Sequence, residues 1–449
     1  MTEELIIREI ENNTEEYIQF LRDLIQTESY NPPGNEKDVA LMIQQYLKDV
    51  NIESEILPFG ANRANLIATL KDNTNGKNLL FNGHMDVVPP GIEEDWKLPP
   101  LSATIKRKKI FGRGTTDMKG GLAAMVIVLK IIKKLGLELS GNLILNAVGD
   151  EETSGELGTK WCLENKLKDI SVDFTLIGEP TNIKPLPHAI MLGERGRVLV
   201  KVVTNGISAH AALSSLGKNA IYMMSKIIEN LDKLDKYMPY VEPPINKERL
   251  KELVSDSFVS EEIFSKILDD QPRLQTLLDS VLKSTRVLTT INGGIKDNVI
   301  PDMCEATIDF RLLAGQKVEE VINGLSQLIS NEVGFDVRDE PTGNPDDVFV
   351  YLEILSASEG SYFKDWEDSK DLKSLYKLIS ETYQKKPFYF LYPPSSDAHY
   401  LRNSGFCPQT IMFGPGVALT AHSTNEYIEI QDFINAIKVY TLFAYNFLR

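Results

Sequence analysis

The sequence predicts an α/β protein: a mixed, mainly parallel sheet with helices on both faces, into which a smaller α+β domain is inserted. Two observations lead to this fold class. Up to about residue 190, short apolar segments alternate with helix-length amphipathic segments, which is the pattern of βαβ units. After about residue 192 the strands and helices follow the order of a ferredoxin-like α+β domain, and the first pattern returns near residue 358.

The first part of the chain is expected to begin with one helix over residues 3–26. Apolar residues recur there at helical spacing until Asn31-Pro32-Pro33-Gly34 prevents continuation. Further helices are predicted over residues 36–49, 118–135 and 157–165, and short apolar strands over residues 54–58, 64–71, 78–82, 143–148 and 172–177. Together with the C-terminal elements, they assign residues 1–191 and 358–449 to one discontinuous catalytic domain.

Residues 192–357 are expected to form the inserted domain. Its predicted strands are residues 197–203, 286–291, 305–311 and 348–355, and its predicted helices are residues 217–231 and 317–329. A charged, helix-prone stretch at about residues 234–283 shows no strand pattern, so we expect a helical insertion on this second domain with no visible chemical role. The chain then closes with predicted helices at residues 370–383 and 431–448 and predicted strands at residues 388–391 and 410–413.

The composition excludes several classes of partner. The 449 residues include 48 Lys and Arg against 64 Asp and Glu, a formal net charge of −16, which argues against unaided binding to nucleic acid or to an anionic membrane. The longest apolar helix candidate contains lysines, so it is expected in a core and not across a membrane. Three widely spaced cysteines without a CxxC pair and an N-terminus without a secretion signal predict a cytoplasmic protein.

Candidate metal ligands follow several of the predicted strands. His84, the pair Glu151-Glu152 and Glu179 each come just after a strand, and Asp117 stands at the start of a helix. In open α/β sheets, sites form beyond the carboxyl ends of the strands. One carboxylate can bridge two metal ions while a histidine or carboxylate on each side completes the pair of sites, as two-metal hydrolases require. Oxygen and imidazole ligands without thiolate favour Zn²⁺, with Co²⁺ or Mn²⁺ as substitutes.

Plainer interpretations of these residues remain open at this point. Asp before a helix is a favoured N-cap, so Asp117 has a structural role available to it. In most proteins a pair such as Glu151 and Glu152 forms a solvated acidic turn. Because this pair follows an apolar strand, one of the two side chains can bind metal while the other faces water. The segment Gly112-Arg113-Gly114 lacks the Lys-Ser/Thr sequel of a phosphate loop, which excludes nucleotide binding there.

Five motifs, in this order, carry a family resemblance. They are GHMDVVP at residues 83–89, GRGTTDMKGG at residues 112–121, DEETSG at residues 150–155, GEP at residues 178–180 and AHS at residues 421–423. On these motifs the chain resembles peptidase family M20, the group that includes acetylornithine deacetylase, succinyl-diaminopimelate desuccinylase, aminoacylase and glutamate carboxypeptidase. The resemblance covers nearly the whole chain except residues 234–283. It implies a zinc-exopeptidase-like fold with an inserted dimerisation domain or lid.

The resemblance also implies the metal ligands. His84, Asp117 and Glu179 are expected to hold one ion, and Asp117, Glu152 and His422 the other. Asp117 is then the bridging ligand of a centre with two divalent ions, and Zn²⁺ is the expected metal. A cis peptide bond between Asp117 and Met118 is part of the same expectation.

The remaining roles come from the same resemblance. Glu151 is expected to be the general base and then the acid that protonates the leaving amine, and Asp86 to orient His84. His210 is expected to polarise the scissile carbonyl from the partner subunit of a homodimer. Asn298, Arg311 and Gly414 match family substrate-binding positions; Arg311 is suited to a two-pronged contact with a substrate carboxylate.

The resulting hypothesis is a metal-dependent hydrolase that cleaves the amide bond of N-acyl amino acids or related carboxylate-bearing substrates. A metallo-dipeptidase, carboxypeptidase or aminopeptidase-like member of the family is the first alternative. A non-catalytic dimeric binding homologue is disfavoured because the base and all ligands are present, and a phosphoesterase is disfavoured by the motifs. The expected partners are a small-molecule or short peptide substrate and a second copy of the chain, without nucleic acid or membrane.

Overall fold

The larger of two main sheets lies in the first and last parts of the chain. The computed structural model describes residues 2–71, 76–258, 261–340, 344 and 347–449. The strands of this mixed sheet, in spatial order, are Ser54–Pro58, Ala64–Leu70, Asn142–Val148, Asn78–His84, Phe174–Ile177, Thr410–Met412, Ala189–Glu194 and Ser361–Tyr362, with Phe388–Tyr392 also paired to Ala189–Glu194. The central four, from Asn142–Val148 to Thr410–Met412, are parallel to one another. The predicted α/β class is therefore confirmed.

Helices cover both faces of the central strands. In the strand Asn78–His84, six successive residues from Leu79 onward are buried, and because neighbouring side chains point to opposite faces, both faces must be covered. The buried helix Lys119–Lys134 packs against the strand and against the C-terminal helix Ile430–Leu448. The other helices of this part are Thr2–Asn12, Thr14–Gln26, Glu36–Lys48, Trp161–Asn165, Lys370–Tyr383 and Ala398–Asn403.

One local expectation for this part was wrong, and two features were not predicted. The predicted helix over residues 3–26 is two helices, which meet at Asn13. The Asn13 side chain donates to the Glu9 carbonyl at 2.8 Å, and such a local bond competes with the helical ladder. The sequence also gave no sign of the strand Ala189–Glu194 or of a small antiparallel sheet formed by Thr104–Lys106, Lys109–Phe111 and Tyr427–Glu429.

The second main sheet has its own hydrophobic core. Its strands, in spatial order, are Thr285–Gly293, Met303–Leu312, Gly196–Asn205, Phe349–Ser358 and Val337–Arg338. The first four are antiparallel, and burial alternates along Gly196–Asn205, so one face of the sheet is covered. Two helices, Ala220–Asn230 and Val318–Leu328, supply that cover. The order strand, helix, strand, strand, helix, strand is the ferredoxin-like pattern.

Three helices of the predicted insertion pack where the sequence did not place them. They are Lys247–Ser255, Glu261–Asp270 and Pro272–Ser280. Their buried residues Leu250, Val254, Phe264 and Leu278 join the hydrophobic core of the larger sheet, whereas the insertion was predicted to belong to the second domain. An amphipathic pattern shows that a helix has an apolar face but does not identify the surface it covers. Residues 259–260 of the insertion lie outside the described residues.

Candidate metal centre and active site

Three neighbouring parallel strands bring the candidate ligands to one edge of the sheet. Asn78–His84 lies between Asn142–Val148 and Phe174–Ile177 and is parallel to both. His84 is the last residue of its strand, and Glu151 and Glu179 lie just beyond the ends of the other two. The carboxyl ends of the three strands therefore deliver an imidazole and two carboxylates to the same crevice.

His84 and His422 approach Asp117 from opposite sides. The Nε2 atom of His84 lies 3.2 Å from Asp117 Oδ1 and 3.5 Å from Glu179 Oε1. The Nε2 atom of His422 lies 3.1 Å from Asp117 Oδ2 and 3.0 Å from Glu152 Oε2. Asp117 thus presents one oxygen to each of two groups of side chains. Within the described part of the chain, His84, Asp117 and Glu152 also form a compact cluster of possible ligand atoms within 4.8 Å of one another.

The crowded carboxylates of this cluster would be stabilised by a cation. Burial and the nearby Asp117 carboxylate raise the pKa of Glu152 to about 7. Hydrogen bonds to Asp117 and Glu152 raise the pKa of His422 to about 10. Without an ion, protons on the histidines balance the crowded carboxylates; divalent ions would replace those protons. The donor atoms are oxygen and imidazole nitrogen, a set that Zn²⁺, Co²⁺ and Mn²⁺ accept, so the residues fit a metal centre.

Glu151 lies beside the cluster with a different orientation from Glu152. Its Oε2 atom is 3.8 Å from His84 Nε2, while the Glu152 carboxylate is directed to His422. Burial raises the pKa of the Glu151 carboxyl well above its usual range, against the opposing effect of His84. A carboxyl group with a raised pKa next to a metal centre can accept and return a proton near neutral pH.

Asp86 forms hydrogen bonds with two of the residues of this cluster. The Nδ1 atom of His84 donates to the Asp86 main-chain carbonyl at 2.8 Å and lies 3.6 Å from the carboxylate atom Oδ1. The other carboxylate atom, Oδ2, accepts from the Glu152 main-chain N–H at 3.1 Å and from the Asn31 side chain at 2.8 Å. Asp86 therefore fixes the His84 ring with its carbonyl and the Glu152 backbone with its carboxylate.

The start of the long buried helix shows whether Asp117 is its N-cap residue. Met118, not Asp117, occupies the N-cap position of Lys119–Lys134, and the carboxylate of Asp117 points to the two histidines. The peptide bond between Asp117 and Met118 is cis, as expected. The N-cap interpretation is thereby excluded.

Three candidate residues belong to the second sheet or to the segments next to it, and they form no part of this cluster. His210 is exposed in the short strand Ala209–His210, and Asn298 is exposed nearby, where its carbonyl accepts from the Ala211 N–H at 3.0 Å. Arg311 pairs with Asp309 of its own strand at 2.8 Å. None of the three lines the cavity of about 270 Å³ that opens onto Asp117, Glu151, Glu152, Glu179 and His422.

The family model of "Peptidase family M20/M25/M40" matches residues 80–446. The chain belongs to this family. It is 29% identical to a probable succinyl-diaminopimelate desuccinylase of Staphylococcus aureus strain N315, over 97% of this chain and 98% of the relative. The fold resembles that of an M20 family metallo-carboxypeptidase from Sulfolobus solfataricus, with a TM-score of 0.75, 20% identity and coverage of 96% and 99%. It also resembles a di-peptidase from Saccharomyces cerevisiae, with a TM-score of 0.76, 15% identity and coverage of 100% and 99%. Family membership makes the chain a metal-dependent amide hydrolase.

A buried ion pair that the sequence did not reveal connects two of the ligand loops in this M20 family chain. Arg113 Nη1 donates to Glu426 Oε2 at 2.6 Å, and both side chains are almost fully buried. Glu426 Oε1 accepts from the main-chain N–H groups of Thr116 at 2.8 Å and Asp117 at 3.2 Å. Arg113 also donates to the His422 carbonyl at 3.4 Å. We call Arg113 and Glu426 the ligand clamp. No local pattern marks it, because its members lie more than 300 residues apart.

Gly414 is placed by close backbone contact. A Cβ atom at this position would lie 2.1 Å from the carbonyl oxygen of Gly178 and 2.5 Å from that of Glu179. Only glycine lets the loop after Thr410–Met412 approach the end of the neighbouring strand this closely. Gly414 therefore positions the backbone next to Glu179 and is absent from the cavity lining.

Two further residues reach the cavity without having been predicted. The hydroxyl of Tyr392 donates to Glu179 Oε2 at 3.4 Å. Leu277, from the helix Pro272–Ser280, also lines the cavity. Two other histidines have partners outside the cluster: His188 pairs with Asp432 at 2.9 Å, and His399 Nδ1 lies 2.6 Å from the Ser396 carbonyl. Among the described residues, no helix has the length and apolar character needed to cross a bilayer.

Proposed function

We propose that this protein hydrolyses the amide bond of N-acyl amino acids or related carboxylate-bearing substrates at a centre of two divalent ions, with Zn²⁺ as the native metal. The observation that carries the proposal is the position of Asp117, whose two carboxylate oxygens face two separate groups of ligand side chains. A mononuclear site or a structural acidic turn does not require a carboxylate shared in this way.

The two ligand sets follow from the contacts. His84, Asp117 and Glu179 would hold one ion, and Asp117, Glu152 and His422 the other. Divalent ions bound there supply Lewis-acid chemistry: they polarise a carbonyl and make water a stronger nucleophile at neutral pH. Asp86 keeps the His84 ring and the Glu152 backbone in place for this arrangement.

Glu151 is the proposed general base. Its carboxylate lies beside the ligand cluster and lines the cavity where a substrate amide would sit. In this role it accepts the proton of the attacking water and then passes it to the nitrogen of the departing amine, so that one residue serves both halves of the reaction. Tyr392, which also lines the cavity, restrains Glu179 through its hydroxyl.

The proposed binding site for the substrate carboxylate lies on the second sheet. Arg311 offers a guanidinium that can form two parallel bonds to a carboxylate, and in the structure it already forms such bonds with Asp309. Asn298 lies on the same domain near His210, and Gly414 shapes the backbone beside Glu179. Binding of a substrate carboxylate by Arg311 would replace part of its pairing with Asp309.

A homodimer formed through the second sheet would bring His210 to the metal centre of the partner subunit. Exposed apolar side chains of the second sheet and its flanking segments support this assembly, since exposed apolar groups mark interaction sites. They are Leu213, Leu216, Tyr222, Val287, Ile291, Ile295 and Met303. The proposed role of His210 is to stabilise the negative charge that develops on the carbonyl oxygen.

Subunit mixing tests this assembly. Glu151→Gln and His210→Ala dimers should each be inactive. Unfolding and refolding an equal mixture should restore about a quarter of the wild-type activity, because half of the dimers then pair an intact Glu151 with an intact partner histidine at one of two sites. If His210 acts within its own chain, the mixture stays inactive.

We also propose a cytoplasmic location, supported by the three free cysteines, all of which are buried.

A substrate panel tests the reaction itself. The purified protein with added Zn²⁺ should hydrolyse N-acyl amino acids; preferential turnover of dipeptides with a free α-amino group would instead assign it to the metallo-dipeptidases or carboxypeptidases. Glu151→Gln should lower kcat by roughly 10²- to 10⁴-fold while the metal content is retained. The matched control is Glu156→Gln, an exposed glutamate in the same loop that pairs with Lys160. Near-normal turnover by Glu151→Gln would remove the general-base assignment.

A further inference from the structure

Two chemical kinds of side chain line the cavity next to the metal centre. The carboxylates and His422 belong to the candidate metal centre, and most of the other lining side chains are apolar. The larger apolar ones are Ile183, Met191, Leu277, Pro394 and Leu419. Among the described residues that line the cavity, none is Lys or Arg. A second negative charge on the substrate would have no cationic partner among these apolar side chains, and burying an unpaired charge is strongly unfavourable.

A buried cation next to the cavity wall does not change this charge balance. Arg195 is almost fully buried, and its guanidinium donates to the Pro393 carbonyl at 3.0 Å and to the Ser280 carbonyl at 2.7 Å. These bonds tie the end of the helix Pro272–Ser280 to the loop that carries Pro394. Arg195 thereby holds Leu277 at the cavity wall while remaining outside the lining itself.

We infer that the acyl group of the substrate is an uncharged aliphatic chain, and that Leu277 of the helical insertion is a residue that determines this specificity. The inference rests on the proposed function, in which Arg311 of the second sheet takes the substrate carboxylate. The acyl half of the same substrate then falls on the other side of the metal centre, in the cavity of about 270 Å³. The insertion therefore contributes to substrate selection, although its sequence shows no chemical motif.

An acyl-length series tests the inference with the metal-loaded protein. The compounds are the N-acetyl, N-butanoyl, N-hexanoyl and N-succinyl derivatives of one L-amino acid. Each added methylene should raise kcat/KM about fourfold until the cavity is filled, which is the rate equivalent of burying one CH₂ group. The N-succinyl compound, whose terminal carboxylate meets the apolar wall, should fall at least about tenfold below the N-butanoyl compound.

Two variants of Leu277 separate a specificity role from a structural one. Leu277→Ala should lower the ratio of kcat/KM for N-hexanoyl over N-acetyl substrate about tenfold, because the wall loses its contact with the distal methylenes. Leu277→Arg should raise the ratio for N-succinyl over N-hexanoyl substrate by at least about tenfold, because it supplies a cation. Leu268→Ala is the matched control: it is a partly buried leucine of the preceding insertion helix that does not line the cavity.

The outcomes distinguish a failure of the aliphatic specificity from a failure of the proposed hydrolase function. Preference for N-succinyl substrate in the wild-type protein, or unchanged ratios in both Leu277 variants, would overturn the aliphatic specificity while leaving the proposed hydrolase function intact. Failure to hydrolyse every compound and every dipeptide in the presence of Zn²⁺ would overturn the proposed function and this inference with it. A loss of thermal stability in Leu277→Ala without a change in the ratios would assign Leu277 a packing role only.

Discussion

Replacing Glu426 by glutamine should destabilise the protein far more than the same replacement three residues away. The Glu426 carboxylate serves two sets of donors: Oε2 accepts from Arg113, and Oε1 accepts from the main-chain N–H groups of Thr116 and Asp117. A glutamine side chain has only one oxygen. In either orientation its NH₂ group faces a buried donor, so one set loses its acceptor.

The expected cost follows from burial. Both members of the ligand clamp are almost fully buried, and loss of one partner of a buried ion pair costs about 3–5 kcal/mol because the other charge is left without compensation. For a chain of 449 residues, an unfolding entropy of about 2.1 cal/mol/K per residue converts this into a fall in Tm of about 3–5 °C. The Asp117 and His422 loops are also released from each other, so metal retention should fall.

The assay is differential scanning calorimetry of the zinc-loaded and chelator-treated forms, with metal content measured after dialysis. The matched control is Glu429→Gln. Glu429 pairs with Lys184 at 2.6 Å on a partly exposed surface, where an ion pair contributes about 0–1 kcal/mol. If Glu426→Gln unfolds within about 1 °C of Glu429→Gln and retains both ions, the ligand clamp has no positioning role and the reasoning is refuted.

Three further results are expected. Chelation should abolish activity and lower Tm, and Zn²⁺ or Co²⁺ should restore both, because ions bound only to the folded state stabilise it; full activity of the metal-free protein would contradict the metal centre. Gly414→Ala should lower the urea midpoint by an amount equivalent to about 1–3 kcal/mol, since its Cβ atom would lie 2.1 Å from the Gly178 carbonyl; an unchanged midpoint would show that the loop can move away. Burial raises the pKa of Asp432, but the interaction with His188 opposes burial and holds this pKa below the usual 3.8. The stability that Asp432 contributes is therefore present above about pH 4 and lost below it. Asp432→Asn should therefore show a shallower fall of Tm between about pH 5 and 3, and an equally steep fall would exclude this linkage.

The sequence alone determined the positions of the ligands along the chain. His84, Glu151 and Glu179 could be placed at strand ends because each follows a short apolar segment, and parallel strands present their carboxyl ends at one edge of the sheet. The α/β class was likewise predicted from the sequence pattern, and the cis bond at Asp117 was implied by the family resemblance. The roles of Asp86, His210, Asn298 and Arg311 stay predictions, and the mixing experiment addresses that of His210.

Only the tertiary structure decided which distant segments meet. The insertion helices have an apolar face in the sequence, but the fold determines that this face covers the larger core and brings Leu277 to the cavity. The ligand clamp joins Arg113 to a glutamate more than 300 residues later, and Tyr392 reaches Glu179 across a gap of more than 200 residues. Local periodicity reports the side chains of one helix or strand, whereas a buried charge pair or a cavity wall depends on contacts between elements that no local pattern encodes.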